Sequence, residues 1–316
     1  MFWDIVLFVI GFYVLIKGSN FLIDGATSLA RNLGISTFVI GLVIVGIGTS
    51  IPEFAITFLG NLVGDADIGV GTLIGSNTFN ILFVLGISAL FFPLAFKAEW
   101  EDDVLWNLLA LIFMFVFLFY FGSNEITRIE GMILLALFVG WLYISVKTPF
   151  TPDETEEPLR ILTYPIAGTM IAAGFFGIIL GANWVVNGAE IIARLLGMSE
   201  TIIGLTLISI GTSLPELAVT FTAAFRKQSG IAVGTIVGSN VVNFLLIFGA
   251  AALAKPIFIT PSVVPDMLIA AISATILYVF MYWGKRGVLE RSQGAIMVIL
   301  YVVYLFYIGA RVFMLQ

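Results

Sequence analysis

The chain has 316 residues, 60% of them hydrophobic and only 11% charged, with a mean hydropathy of +1.11, against about 25% charged residues in a soluble domain. It lacks the residues for a water-facing surface and reads as an all-α integral membrane protein, its apolar stretches being continuous rather than alternating as in a porin-like barrel. The absence of Cys and His excludes disulfides, thiolate sites, imidazole acid–base chemistry and haem ligation, leaving oxygen ligands and hard cations such as Na⁺, Ca²⁺ and Mg²⁺, and a net charge of −6 argues against a nucleic-acid partner.

Apolar runs fall near residues 4–30, 37–61, 68–92, 104–122, 128–147, 163–193, 201–225, 231–253, 263–283 and 292–312. Each is long enough to span a bilayer at about 1.5 Å per residue, so ten transmembrane helices are expected. The N-terminus carries neither a basic stretch nor a small-residue cleavage site, and the first span is expected to be retained. The longest polar interruption, Thr148 to Arg160, is rich in prolines and acids and reads as an exposed linker too short for a regulatory domain. Basic residues set the orientation. One set of loops carries Arg31, Lys97, Lys147, Arg160, Arg226, Lys227, Lys285, Arg286 and Arg291; the other carries Arg128, Arg194, Lys255 and Arg311. The first set is expected in the cytoplasm of a multi-pass plasma-membrane protein, with both termini outside.

The chain contains itself twice. Gly48-Thr49-Ser50-Ile51-Pro52-Glu53 recurs 163 residues on as Gly211-Thr212-Ser213-Leu214-Pro215-Glu216, and Val70 to Asn77 recurs at the same spacing as Val233 to Asn240. Gly25-Ala26 and Ala30-Arg31 recur at Gly188-Ala189 and Ala193-Arg194. With five spans in each half, the second half must enter from the opposite side. The expectation is two inverted-topology repeats, residues 1–148 and 163–316, joined by a short acidic cytoplasmic linker at 149–162. That architecture is typical of secondary transporters, whose sites lie near the midplane on broken helices.

Glu53 and Glu216 sit inside apolar spans, where an ionisable residue is expensive and functional by default. The proline before each removes a helix hydrogen bond and frees the carbonyl four residues back, on Gly48 and Gly211. Those carbonyls and the hydroxyls of Thr49, Ser50, Thr212 and Ser213 are all oxygen ligands. Gly75-Ser76-Asn77 and Gly238-Ser239-Asn240 are expected to interrupt the third and eighth spans, with Asn80 and Asn243 one turn beyond Ser76 and Ser239 on the same face. Together the motifs offer two carboxylates, hydroxyls, amide oxygens and main-chain carbonyls. Ca²⁺ takes about six to eight such oxygens, and two carboxylates neutralise it.

At these motifs the chain resembles the sodium/calcium exchanger family of the cation/Ca²⁺ antiporter superfamily, in a form without the regulatory domain of animal members. The resemblance implies exchange of Ca²⁺ for Na⁺ at one shared set of sites by alternating access. By position it implies that Glu53 and Glu216 are the central Ca²⁺-binding acids and that Thr49, Ser50, Thr212, Ser213, Ser76 and Ser239 are flanking Na⁺ ligands. Gly46 and Ser209 match positions that lend main-chain carbonyls, and Asn80 matches an amide position. Asn243 departs from the Asp that many sodium-coupled members carry there.

Two other readings stand beside Na⁺/Ca²⁺ antiport: H⁺-coupled Ca²⁺ exchange, which would need only the acids, and a divalent-cation channel. A membrane hydrolase lacks a nucleophile constellation, so the chain is not expected to be an enzyme. No cofactor and no obligatory protein partner are expected beyond the transported ions and the bilayer. Lys17, Asp24 and Arg31 form one stripe of the first helix and read as snorkelling plus a local ion pair. Trp3, Trp100 and Trp283 fit an interfacial belt, and the abundant Phe is expected to face lipid. The first and sixth helices are interrupted by glycines at Gly11, Gly18 and Gly25 and at Gly174, Gly177, Gly181 and Gly188. Small residues let a helix slide on its neighbours, and these two helices are expected to move together.

Overall fold

The computed structural model describes residues 2–64, 66–120, 124–147, 162–195 and 209–314. In chain order the helices are α1 (Phe2–Leu33), α2 (Thr37–Thr49) and α3 (Ile51–Val63), α4 (Ala66–Phe91), α5 (Glu101–Tyr120) and α6 (Arg128–Val146). They continue as α7 (Tyr164–Leu195), α8 (Ser209–Thr212), α9 (Leu214–Phe225), α10 (Ser229–Ala254), α11 (Val264–Phe280) and α12 (Arg291–Met314). Among the described residues, seven helices are long and apolar enough to cross a membrane, or eight when α2 and α3, bent by 46°, count as one span. The chain is an all-helical multi-pass membrane protein. Residues 201–208 of the seventh expected span, and the 149–162 linker except Leu162, lie outside the described residues.

Local chemistry sets several helix ends. Thr127 and Glu130 form a reciprocal capping box that starts α6, satisfying two otherwise orphaned donors. Gly64 stops α3 at φ +104, a left-handed conformation that costs a glycine little. Two short antiparallel pairs tie loops together: β1 (Leu94–Ala95) with β4 (Val288–Leu289), and β2 (Glu125–Ile126) with β3 (Ile257–Phe258).

The core is built on α4 and α10. In their most apolar stretches 78% and 94% of residues are buried, against 28% in α1 and α7. A helix apolar all round is either lipid-facing or enclosed by protein, and small residues decide for enclosure. A Cβ placed on Gly234 would meet the Phe38 carbonyl at 2.4 Å, and one on Gly238 the Leu42 carbonyl at 2.2 Å. α2 therefore crosses α10 with backbone against backbone.

Several contacts between the halves come in exchanged pairs. Gly131 lies against Gly249, while Gly294 lies against Gly86. Because 86 and 249, and 131 and 294, are equivalent at the 163-residue spacing, this is one contact made twice with the halves swapped. The two strand pairs exchange in the same way. So do α1 and α7: Gly11 meets Gly181, and Gly174 meets Gly18.

Three expectations are corrected here. Trp100 is enclosed by protein rather than facing lipid, and stacks on Phe38 with ring centroids 4.6 Å apart. Phe38, Phe244 and Phe248 are fully buried, whereas Phe176 and Phe306 are exposed. Asp24 pairs not within its own helix but with Arg226 just past α9, at 2.5 Å, and Arg226 also donates to the Asn20 side chain at 3.1 Å. Lys17 lies over the Tyr13 ring.

Candidate functional site

Each proline-containing motif breaks its helix in the same place. α2 ends at Thr49, Ser50 turns with φ −80 and ψ 5, and Pro52 sits in the first turn of α3. α8 ends at Thr212, Ser213 turns with φ −93 and ψ 4, and Pro215 sits in the first turn of α9. Proline is tolerated there because a first-turn N–H has no helical acceptor. Glu53 and Glu216 thus fall in the first turns of α3 and α9, where helix N-termini favour negative charge. Both are fully buried and close enough to act on each other electrostatically.

The second motif differs from expectation. α4 and α10 run unbroken through Gly75-Ser76-Asn77 and Gly238-Ser239-Asn240; each widens into a π-helical stretch only afterwards, at Asn80–Leu85 and Val242–Ile247. Such wide turns recur at functional sites because they re-aim side chains without ending the helix.

The motifs of the two halves interlock. Ser76 Oγ donates to Glu53 Oε1 at 3.2 Å and lies 2.7 Å from Ser213 Oγ. Ser239 Oγ lies 3.3 Å from Glu216 Oε1 and 3.1 Å from the Gly46 carbonyl. Thr49 Oγ1 is 3.1 Å from Ser239 Oγ and 3.3 Å from the Gly46 carbonyl. The Thr212 hydroxyl also reaches across, to Glu53. Ser209 begins α8. Glu53, Glu216, Thr49, Ser76, Thr212, Ser213, Ser239 and the Gly46 carbonyl are therefore gathered in one buried polar centre, while Ser50, Asn80 and Asn243 are buried on the same segments.

Several of its oxygens lack a partner. Glu53 Oε2, Glu216 Oε2, Ser50 Oγ, Asn80 Oδ1 and Asn243 Oδ1 are all buried without a hydrogen-bond donor. A buried unsatisfied polar atom costs about 1–3 kcal/mol, a cost that a bound cation would relieve. Among the described residues, no three acids come together. The centre therefore carries two carboxylates and otherwise neutral oxygens, a hard donor set suited to Na⁺ or Ca²⁺.

Asn77 and Asn240 were not singled out from sequence. Asn77 Nδ2 donates to the Asn240 carbonyl at 3.0 Å, and Asn240 Nδ2 to the Asn77 carbonyl at 3.3 Å. Asn80 Nδ2 donates to Asn240 Oδ1 at 3.0 Å, and Asn243 Nδ2 to Asn77 Oδ1 at 2.7 Å. Their signal was present: an Asn three residues before each candidate amide, in both halves.

A multi-pass helical protein whose broken helices bring carboxylates and neutral oxygens to a buried centre belongs to the ion-transporting membrane proteins. Comparison with known proteins narrows this. The family model for "Sodium/calcium exchanger protein" matches residues 3–147 and again 166–310, and the chain belongs to that family. The solved structure of the sodium-calcium exchanger NCX_Mj soaked with zero Na⁺ and Ca²⁺ is 30% identical, covers 96% of this chain and 97% of its own, and superposes with a TM-score of 0.83. "Uncharacterized membrane protein MJ0091" of Methanocaldococcus jannaschii is 33% identical over 94% of this chain and 95% of its own length. "Sodium/calcium exchanger MaX1" of Methanosarcina acetivorans is 28% identical over 96% of this chain and 97% of its own.

Proposed function

We propose that the chain is a secondary antiporter that exchanges Ca²⁺ for Na⁺ by alternating access at the buried centre. The observation that carries this is the set of five unpartnered buried oxygens on Glu53, Glu216, Ser50, Asn80 and Asn243. Glu53 and Glu216 are its charged ligands; Thr49, Ser50, Ser76, Thr212, Ser213, Ser239, Asn80 and Asn243, with the carbonyls of Gly46 and Ser209, complete the two-ion set. Two carboxylates balance one Ca²⁺, and the hydroxyls and carbonyls give Na⁺ the neutral oxygens it needs when it replaces Ca²⁺. Proton exchange would leave those neutral oxygens without a purpose.

The exchanged contacts between halves support two inverted five-span repeats, ten spans in all. With the basic loops in the cytoplasm, both termini lie outside the cell and the central linker inside. The test is radiolabelled Ca²⁺ uptake into proteoliposomes under Na⁺, K⁺ or H⁺ gradients imposed one at a time. Uptake driven by an outward Na⁺ gradient is expected. Uptake driven by H⁺ alone, or a passive flux that no counter-ion gradient drives, would overturn the reading in favour of a proton exchanger or a channel.

A further inference from the structure

The four asparagines at the crossing of α4 and α10 form a wired set, and the wiring starts from atoms whose polarity is not negotiable. A main-chain carbonyl only accepts. Asn77 spends its Nδ2 on the Asn240 carbonyl, so the end it turns to Asn243 is Oδ1. Asn243 must then offer Nδ2, which leaves Asn243 Oδ1 as its outward atom. The mirror chain runs from the Asn77 carbonyl to Asn240 Nδ2, then from Asn240 Oδ1 to Asn80 Nδ2, leaving Asn80 Oδ1 outward. Both outward oxygens are buried and unpartnered. They sit one turn beyond Ser76 and Ser239, which bond the two glutamates.

We propose that Asn77 and Asn240 are positioning residues that fix amide polarity across the halves: Asn77 orients Asn243, and Asn240 orients Asn80, so that each presents oxygen rather than NH₂ to a cation. An amide free to rotate presents its NH₂ end in one of two nearly isosteric orientations, and that end repels a cation. Second-sphere groups that orient a ligand typically change metal affinity by about 10–100-fold when removed. The wiring also sets the donor type, because position 243 has to donate to Asn77 Oδ1 while accepting nothing from it. The inference rests on the reading of the centre as a cation site.

The test is a double-mutant cycle on purified full-length protein, read as the apparent Ca²⁺ dissociation constant from Ca²⁺-dependent thermal stabilisation. Asn77→Ala should weaken Ca²⁺ about 10–100-fold in the native background. It should change affinity by no more than about twofold when Asn243→Ala is already present, yet keep its full effect beside Asn80→Ala. Asn240→Ala should show the opposite pairing. Loss of packing alone would not select a partner in the other half. If Asn77→Ala does not yield monodisperse protein, Asn77→Ser removes the same amide, and the Asn240 arm tests the same wiring independently. Equal additivity with both partners, in a protein that Ca²⁺ stabilises, overturns the wiring alone. A native protein that Ca²⁺ does not stabilise overturns the cation site, and the wiring with it.

Discussion

The internal repeat is largely obeyed inside two regions of the molecule and broken between them. Within the core most of the close cross-half contacts exchange, Gly131 with Gly249 and Gly294 with Gly86, Asn77 with Asn240 in both directions, although Ser76 meets Ser213 while the equivalent Ser50 Oγ has no partner. Within the α1–α7 pair they exchange as well, Gly11 with Gly181 and Gly174 with Gly18. Where the pair meets the core, exchange fails. Gly48 lies under the Phe175 ring of α7. Its equivalent, Gly211, lies not against Phe12 of α1, the position equivalent to Phe175, but against Val186 of α7. The Asp24–Arg226 ion pair maps to Asn187 and Val63, and Val63 is 80% exposed. Two symmetric bodies with an asymmetric interface are what a rigid-body offset produces. The difference teaches that the centre lies in one body and that an account in which the other body moves is testable at the interface between them.

The largest effect should come from the core. Glu53→Gln and Glu216→Gln each leave one negative charge facing a divalent ion, at a cost of about 3–5 kcal/mol for an unpaired buried charge. Each should reduce Na⁺-driven Ca²⁺ flux at least a hundredfold or so in protein that still inserts and folds. The duplicated motifs add that the two variants should be nearly equal. Flux assays on both decide it, and near-native exchange in either one contradicts the site.

The pair can be broken from within. A Cβ on Gly18 would sit 2.8 Å from the Ile178 backbone nitrogen, so Gly18→Leu should force α1 and α7 apart and cost about 1–3 kcal/mol. Gly71 has open space around the same position, and Gly71→Ala should be neutral or stabilise by up to about 1 kcal/mol. Thermal melts of the two variants should move in opposite directions or differ by several degrees. Equal melts would mean that the helices do not touch where the glycines meet.

The interface gives the smallest effect. The Asp24 and Arg226 side chains are 33% and 19% exposed, so their attraction is screened and worth at most about 1 kcal/mol. Arg226→Gln should change exchange rate by about fivefold or less while Ca²⁺ affinity stays unchanged, because the ion pair biases the pair's position rather than the centre. A change in affinity without a change in rate would place Arg226 in the wrong region.

Much of the site was legible because its signals are local and duplicated. The proline–glutamate motifs mark buried charge and a broken helix within six residues, and recurrence at a fixed spacing removes chance. Packing partners were less legible. Lipid and protein interior are equally apolar, so nothing in the sequence around Phe244 distinguishes a bilayer-facing ring from an enclosed one, and the charges flanking Trp100 do not show that Phe38 covers its ring. Asp24 found its partner 202 residues away, a contact no local spacing encodes. The unbroken passage of α4 through Gly75 and Asn77 was not legible because Ser76 and Asn77 spend their side-chain bonds on the opposite half, which composition alone does not show. Asn77 and Asn240 were missed because their partners lie in the opposite half.

The most direct test of a fixed centre with a moving pair uses the absence of native cysteine. Asp24→Cys with Arg226→Cys places two thiols at the asymmetric interface, where oxidation or a short bifunctional reagent joins α1 to the end of α9. A verified crosslink should abolish Na⁺-driven Ca²⁺ exchange, leave Ca²⁺-dependent thermal stabilisation intact, and be reversed by reductant when the link is a disulfide. Unchanged exchange in the crosslinked protein would contradict the account.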